Sequence, residues 1–353
     1  MLIAKKLKWR YLLLAAALAF MALLPFDWFF GQYKQLAIMI GLYTMVTVGL
    51  CLLMGYTGQV SLGQAAFWGT GMYISAILSM DYGINPWLSM IIAATMTGAL
   101  ALFLSPIFRL RGNYLALATL AVGYIIWRVA ELQSGYTGGP DGISGVPALS
   151  VGGFTFDSLF RQYFLIWGFC LVILLVSQNI INSRIGRALR AVHGSEEAAE
   201  SLGINANRFK VKIFVLSAVY ASLAGSLFAH HAVHVSPGSF HPLVSVELVV
   251  MAVVGGLASI WGAIFGTGTI HILNDEILIH YGKWNIAISG LILMVILIYM
   301  PEGLFVALKT AYQQDGVWFL PKWLLRTGRD WLIKLQNIYR RLSIRYQQKE
   351  AGS

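Results

Sequence analysis

Apolar runs of about twenty residues recur along most of this chain, and they exclude a water-soluble fold. A helix needs about 20 predominantly apolar residues to cross the hydrocarbon core of a bilayer. Ten such stretches can be drawn, at 11–30, 36–54, 61–80, 87–108, 114–132, 163–181, 213–231, 243–257, 260–278 and 286–300, with the eighth and tenth short. Composition agrees: 58% of the 353 residues are hydrophobic and 11% charged, where a soluble domain carries about 25% charged residues. Hydrocarbon offers backbone groups no water, so each span is predicted to be helical. The expected fold class is an all-α polytopic membrane protein.

Charge placement orients the spans. The first ten residues contribute Lys5, Lys6, Lys8 and Arg10, and from Lys309 onward nine basic residues oppose three acidic ones, so the ends account for the net charge of +10. Such ends suit anionic lipid better than nucleic acid. The run at 11–30 is longer than the ~7–15 residues of a signal-peptide core. Pro25-Phe26-Asp27-Trp28 is also a poor cleavage context, so a retained span is expected. Arg109 and Arg111, the charged 184–212 segment and the basic tail all follow even-numbered spans. The segment after the fifth span sets Asp141 and Asp157 against Arg161 alone, and that after the seventh has only histidines. This alternation predicts an even number of spans with both termini cytoplasmic.

Several stretches stand out from the apolar background. Segment 184–212 is charged and Pro-free. Since an ionised side chain at mid-membrane costs about 2.5–3.5 kcal/mol even on a lenient scale, it must project into water. Residues 55–71, GYTGQVSLGQAAFWGTG, combine five glycines with Thr57, Gln59, Ser61 and Gln64. Close helix packing explains them; so does a broken stretch whose freed backbone faces a solute path. Arg128 and Glu131, at i and i+3, share a helix face and invite pairing. The Gly-rich 134–147 segment reads as external turns or as a docking surface. His230, His231, His234 and His241 cluster without a Cys or Asp to complete a site, so no metal is expected. Glu247 enters the eighth span with no basic residue near it in sequence, and an intramembrane carboxylate is a functional candidate. Cys51 and Cys170 lie in apolar runs and read as core thiols. In the tail, Trp323, Leu324, Trp331, Leu332, Leu335, Ile338 and Leu342 recur at helical spacing. They suit an amphipathic helix on the inner membrane surface, or a partner-binding one.

The ordered set GYTGQVSLGQAAFWGTGMY (55–73), RLRGNYLALATL (109–120), TGGPDGISGVP (137–147), SRIGRALRAV…EEAAESLGIN (183–205), VVGGLASIWGAIFG (253–266) and PEGLF (301–305) resembles the LivM-like permeases of branched-chain amino acid ABC importers. The most specific piece, Glu197-Ala198-Ala199 followed by Gly203, resembles the EAA–Gly loop by which such permeases grip their ATPases. The resemblance implies a transmembrane permease domain, placed here at 1–308, with a cytoplasmic coupling helix in the 182–212 loop, and does not extend to the basic amphipathic tail at 309–353. It implies a non-catalytic subunit without a cofactor, in the bacterial cytoplasmic (inner) membrane. Its partners would be a homologous LivH-like second permease, two cytoplasmic ATPases that bind the ATP, and a periplasmic binding protein.

Arg190, Glu197, Ala198, Ala199 and Gly203 are the expected ATPase-coupling residues. Gln59, Ser61, Gln64, Asn113 and Glu247 are candidates for the translocation path, and the Arg109–Arg111 turn is a positive-inside anchor or a second ATPase contact. His193-Gly194-Ser195 departs from the charged stretch usual in relatives. The chain has no GxxxxGK[ST] loop of its own. The substrate is expected to be a branched-chain or related hydrophobic amino acid; importers of urea and short amides use similar permeases. An ion-coupled carrier would need a coupling-ion site, for which only Glu247 and Asp275-Glu276 are available, and would leave the EAA–Gly loop unexplained.

Overall fold

The computed structural model describes residues 33–110 and 112–277, with positions 288, 290–292, 294, 303 and 305. The expected first span, the tenth apart from those isolated positions, and the 309–353 tail lie outside the described residues.

Apolar runs become helices where local signals permit. Helix α1 (Lys34–Leu50) continues into a π-helical turn, Cys51–Gly55. It is followed by α2 (Gln64–Met80), α3 (Pro86–Phe103), α4 (Asn113–Leu132) and α5 (Leu159–Asn182). Two short polar helices come next, α6 (Arg184–Gly194) and α7 (Glu196–Ser201), and then the long α8 (Ala206–Ala232). Two shorter apolar helices, α9 (Pro242–Gly255) and α10 (Ile260–His271), end the described run with a second π-helical turn, Ile272–Ile277. Starts are marked by side-chain caps: Asn85 before α3, Ser158 before α5, Ser183 before α6, Ser195 before α7 and Asn205 before α8 each accept a bond from a first-turn N–H.

Among the described residues, five helices, Lys34–Gly55, α3, α4, α5 and α8, are long and apolar enough to cross a membrane. The chain is an all-α polytopic membrane protein. Helix α2, at 17 residues, is about 26 Å long and largely buried among its neighbours.

The eighth and ninth expected spans need correction. Helices α9 and α10 meet at 118°, forming one broken span or a re-entrant pair rather than two straight crossings. Gly256 turns the chain at φ +105, and Ser259 caps α10 by accepting from the Gly262 N–H. Hydropathy runs on across this corner because Leu257 and Ala258 are themselves apolar. Two glycines make the approach possible: a Cβ on Gly266 would overlap the Met251 carbonyl, and one on Gly262 that of Gly255.

The two ends of the bundle gather different segments. At one end, the Tyr56 hydroxyl donates to the Ala258 carbonyl at 2.8 Å, and Gly58 lies against His193 of α6. At the other, β1 (Ile143–Ser144) pairs antiparallel with β4 (His234–Val235), while β2 (Ser150–Val151) and β3 (Phe154–Thr155) form a hairpin. The Trp87 indole donates to the Ser150 carbonyl at 2.8 Å there.

Between the ends, α8 packs against α2 through small residues. Ser226 donates to the Gly71 carbonyl at 3.0 Å, Thr97 of α3 donates to Ser222 at 3.0 Å, and Ser75 hydrogen-bonds His230 at 2.9 Å. In lipid, backbone proximity and interhelical hydrogen bonds replace the hydrophobic drive between helices. A Cβ at Gly225 would overlap the carbonyl oxygen of Trp68, whereas Gly168 on α5 has open space. Overpacking costs about 1–3 kcal/mol or more. Gly225→Ala is therefore expected to lower the thermal stability of the detergent-solubilised protein, and Gly168→Ala to preserve or raise it. Equal melting curves for the two variants would contradict this packing.

Candidate functional site

The 55–71 stretch is broken. The chain leaves α1 through the π turn and a last α turn at Tyr56-Thr57, runs without helix from 58 to 63, and restarts at Gln64. The ending is closed by its own backbone: the Gly58 N–H bonds the Met54 carbonyl at 3.1 Å and the Gln59 N–H the Leu53 carbonyl at 3.2 Å. The restart is held by other helices. The Leu62 N–H donates to Thr119 Oγ1 of α4 at 3.0 Å, and the Ala65 N–H to Ser245 Oγ of α9 at 3.0 Å.

The path candidates fall in different surroundings on this break. Gln59 is half-buried and turns its amide back to the Thr57 carbonyl. Ser61 is 1% exposed and Gln64 is 0% exposed. Among the described residues, neither the Ser61 hydroxyl nor either amide atom of Gln64 has a hydrogen-bond partner. Each buried, unpaired polar group costs about 1–3 kcal/mol, so packing alone does not account for these side chains.

The charged segment folds as a two-helix projection. Ser183 starts α6, and the Arg190 guanidinium reaches back to the Ile181 carbonyl at 3.4 Å, closing the end of α5. Ser195 caps α7 by accepting from the Ala198 N–H at 3.3 Å. Gly203 ends α7 at φ +82, donating to the Glu200 carbonyl at 2.9 Å, while the Ile204 N–H returns to Ala199 at 3.0 Å. The left-handed residue closes the helix, and glycine adopts it without a Cβ penalty. Ala199 is buried with Val192 and Ala206 in a small core of the projection's own. Glu197, Ala198 and Leu202 stay exposed, Leu202 at 78%. The buried Lys210 ammonium pairs with Glu196, tying α7 to α8.

Break and projection meet. Gln59 lines one cavity of about 370 Å³ together with Gly112, Ser195, Glu196 and Glu197. Asn113 is exposed beside Gly112, at the first position of α4. Glu247 takes a different partner: Asn274, in the second π turn, donates to its carboxylate at 3.3 Å, and His271 bonds Asp275 at 2.9 Å one turn away. The four histidines of the 230–241 segment serve separate structural bonds. His230 donates to the Pro147 carbonyl at 2.7 Å, His231 to Gln162 at 2.6 Å, His234 bonds Ser144 at 2.8 Å, and His241 caps α9. Arg128 pairs with Glu131 as their spacing suggests.

Sequence reasoning did not single out Thr119, Ser245, Glu196 or Lys210. A hydroxyl in an apolar helix usually bonds its own preceding turn, as Thr44 and Thr47 do, so nothing local marks Thr119 or Ser245 as holding a distant loop. Glu196 has the more readable signal, being the first acidic residue after a capping serine.

The family model for the branched-chain amino acid transport system permease component matches residues 32–301. The LivM permease protein of the high-affinity branched-chain amino acid transport system of Escherichia coli (strain K12) is 30% identical over 74% of this chain and 67% of its own length. That of Salmonella typhimurium is 30% identical over 76% and 69%. A probable branched-chain amino acid transport permease protein LivH of Methanocaldococcus jannaschii is 24% identical over 74% of this chain and 88% of its own. With the broken stretch, the projection and the corner between α9 and α10 all inside the matched region, the chain belongs to the family of branched-chain amino acid transport system permease components.

Proposed function

We propose that this chain is a permease subunit of an ATP-driven importer in the bacterial cytoplasmic membrane. It forms, with a homologous second permease, a path for branched-chain or related hydrophobic amino acids handed over by a periplasmic binding protein. ATP is bound and hydrolysed by two partner ATPases seated against α6 and α7, so the chain needs no cofactor and performs no chemistry of its own. Both termini are cytoplasmic in this reading, and the end of the bundle carrying α6 and α7 faces the cytosol. The observation that carries the proposal is the tip of the projection. Glu197, Ala198 and Leu202 are exposed around an exposed Gly203, where an added Cβ would meet nothing within 4 Å. A rigid, capped helix that offers an exposed leucine beside an unobstructed glycine suits a groove in another protein.

Gly203→Asp separates docking from folding. Aspartate tolerates the left-handed region better than most residues, where the usual cost is about 1–2 kcal/mol, and the side chain meets open space in this chain. The variant is expected to insert at wild-type levels yet lose amino acid uptake, through loss of ATPase binding or of coupling, with Glu197→Ala impaired in part. Uptake and ATPase pull-down measured in the same membranes decide it; normal uptake with Gly203→Asp at normal expression would sink the assignment.

Sidedness has its own test. Ser144 and Ser195 are both exposed and lie at opposite ends of the bundle. Cysteines placed there, in a background lacking the buried Cys51 and Cys170, are expected to label from the periplasm and the cytoplasm respectively. Labelling of both from one side would overturn the topology.

A further inference from the structure

The break between α1 and α2 passes from an open environment to a closed one within six residues. Gln59 faces the 370 Å³ cavity. Ser61 and Gln64, at 1% and 0% exposure, hold a hydroxyl and a whole carboxamide with no partner. One turn along the same face of α2, Trp68 is 2% exposed and its indole N–H is also unpaired. Around them the polar groups are uncharged: Thr119 holds the Leu62 N–H and Ser245 the Ala65 N–H. The residues that follow Gln64, Ala65-Ala66-Phe67, show that an apolar side chain suits this depth.

A carboxamide presents donors on one atom and an acceptor on the other. With the hydroxyl of Ser61 three residues earlier in the same segment, that set complements a head group bearing both charges. A carboxylate would accept from the amide N–H and the Ser61 hydroxyl, and an ammonium would donate to the amide oxygen. A lone fixed charge would favour one half of such a head group and repel the other. We infer that Ser61 and Gln64, framed by Thr119 and Ser245, form a head-group station for a zwitterionic amino acid. It is shut in this conformation and opens toward the Gln59 cavity when the 58–63 segment moves. The inference rests on the reading of the chain as an amino acid permease and adds the residues that touch the substrate's charged end.

The test uses the complete importer, with second permease, ATPases and binding protein, reconstituted in proteoliposomes, and reads leucine uptake per ATP hydrolysed. Gln64→Leu is expected to assemble and to keep binding-protein-stimulated ATP hydrolysis within about twofold, while uptake per ATP falls about tenfold or more, as when a hydrogen bond to a charged group is lost. Gln64→Asn, which retains the amide, is expected to fall between Gln64→Leu and wild type. Unchanged uptake per ATP in assembled Gln64→Leu overturns the inference, and so does a parallel fall in uptake and hydrolysis, which marks a packing or gating role. Should Gln64→Leu not assemble, Ser61→Ala is read by the same ratio, and an unchanged ratio again overturns it. A wild-type importer that moves urea or acetamide but not leucine would instead remove the amino acid reading on which the inference rests.

Discussion

Hydrocarbon cannot solvate a peptide group, and this constraint governs the rest of the arrangement. A chain may leave the helical state inside a membrane protein only where other protein groups take up the freed N–H and C=O. The 58–63 interruption meets that condition with hydroxyls: Thr119 on α4 and Ser245 on α9 receive the backbone on either side of Gly63. The placement of α4 and α9 against the start of α2 is thereby part of what permits the interruption. Thr44 of α1 and Thr267 of α10 meet at 2.7 Å and bring the corner pair into the same framework.

The stiffness of the framework makes the interruption mechanically useful. Where Gly71 and Gly225 bring the backbones of α2 and α8 together, there is no compressible layer of side chains to absorb a displacement. The projection is joined to this body at three points: Arg190 to the end of α5, Glu196 to Lys210 of α8, and His193 against Gly58. If an ATPase moves α7, as the proposed function requires, the first two joints carry the load into the rigid helices. The third delivers it to the unwound 58–63 segment. Gly58, at φ +70, lies in a region that residues with a Cβ seldom occupy.

Much of this was legible in the sequence, for identifiable reasons. Apolar length marked α1, α3, α4, α5 and α8, whereas the density of Gly and polar residues at 55–71 suited close packing as well as the break that is found. The serine and asparagine caps at the starts of α6 to α8 are signals the sequence carries locally, because a cap acts over three residues. The α9–α10 pair was misread because hydropathy measures what a segment dissolves in and not the direction it runs; the signal for the corner was Gly255-Gly256 with a capping Ser259. The site was legible only in its local half. Gln64 could be suspected from its type, but its burial without a partner depends on α4 and α9, which lie 49 and more residues away in sequence. Ala198 and Ala199 look equivalent as a pair; helical geometry turns one outward and the other into the small core with Val192 and Ala206.

The polarity of the break also fits the division of labour in an importer of this kind. A path must hold its solute well enough to admit it and weakly enough to release it. A fixed charge at this depth would cost several kcal/mol when empty and grip an opposite charge when filled. Hydroxyls and an amide are cheaper on both counts, since their unpaired state costs less and their bonds to a zwitterion remain exchangeable. In the proposed importer, selectivity for the apolar part of the solute can then reside in the partner that hands it over. On that view Glu247 is best separated from the station, since it takes its hydrogen bond from Asn274 in the second π turn. Its carboxylate meets the second π turn, whereas the backbone that frames Gln64 meets α9 two residues earlier at Ser245 and meets α4 at Thr119.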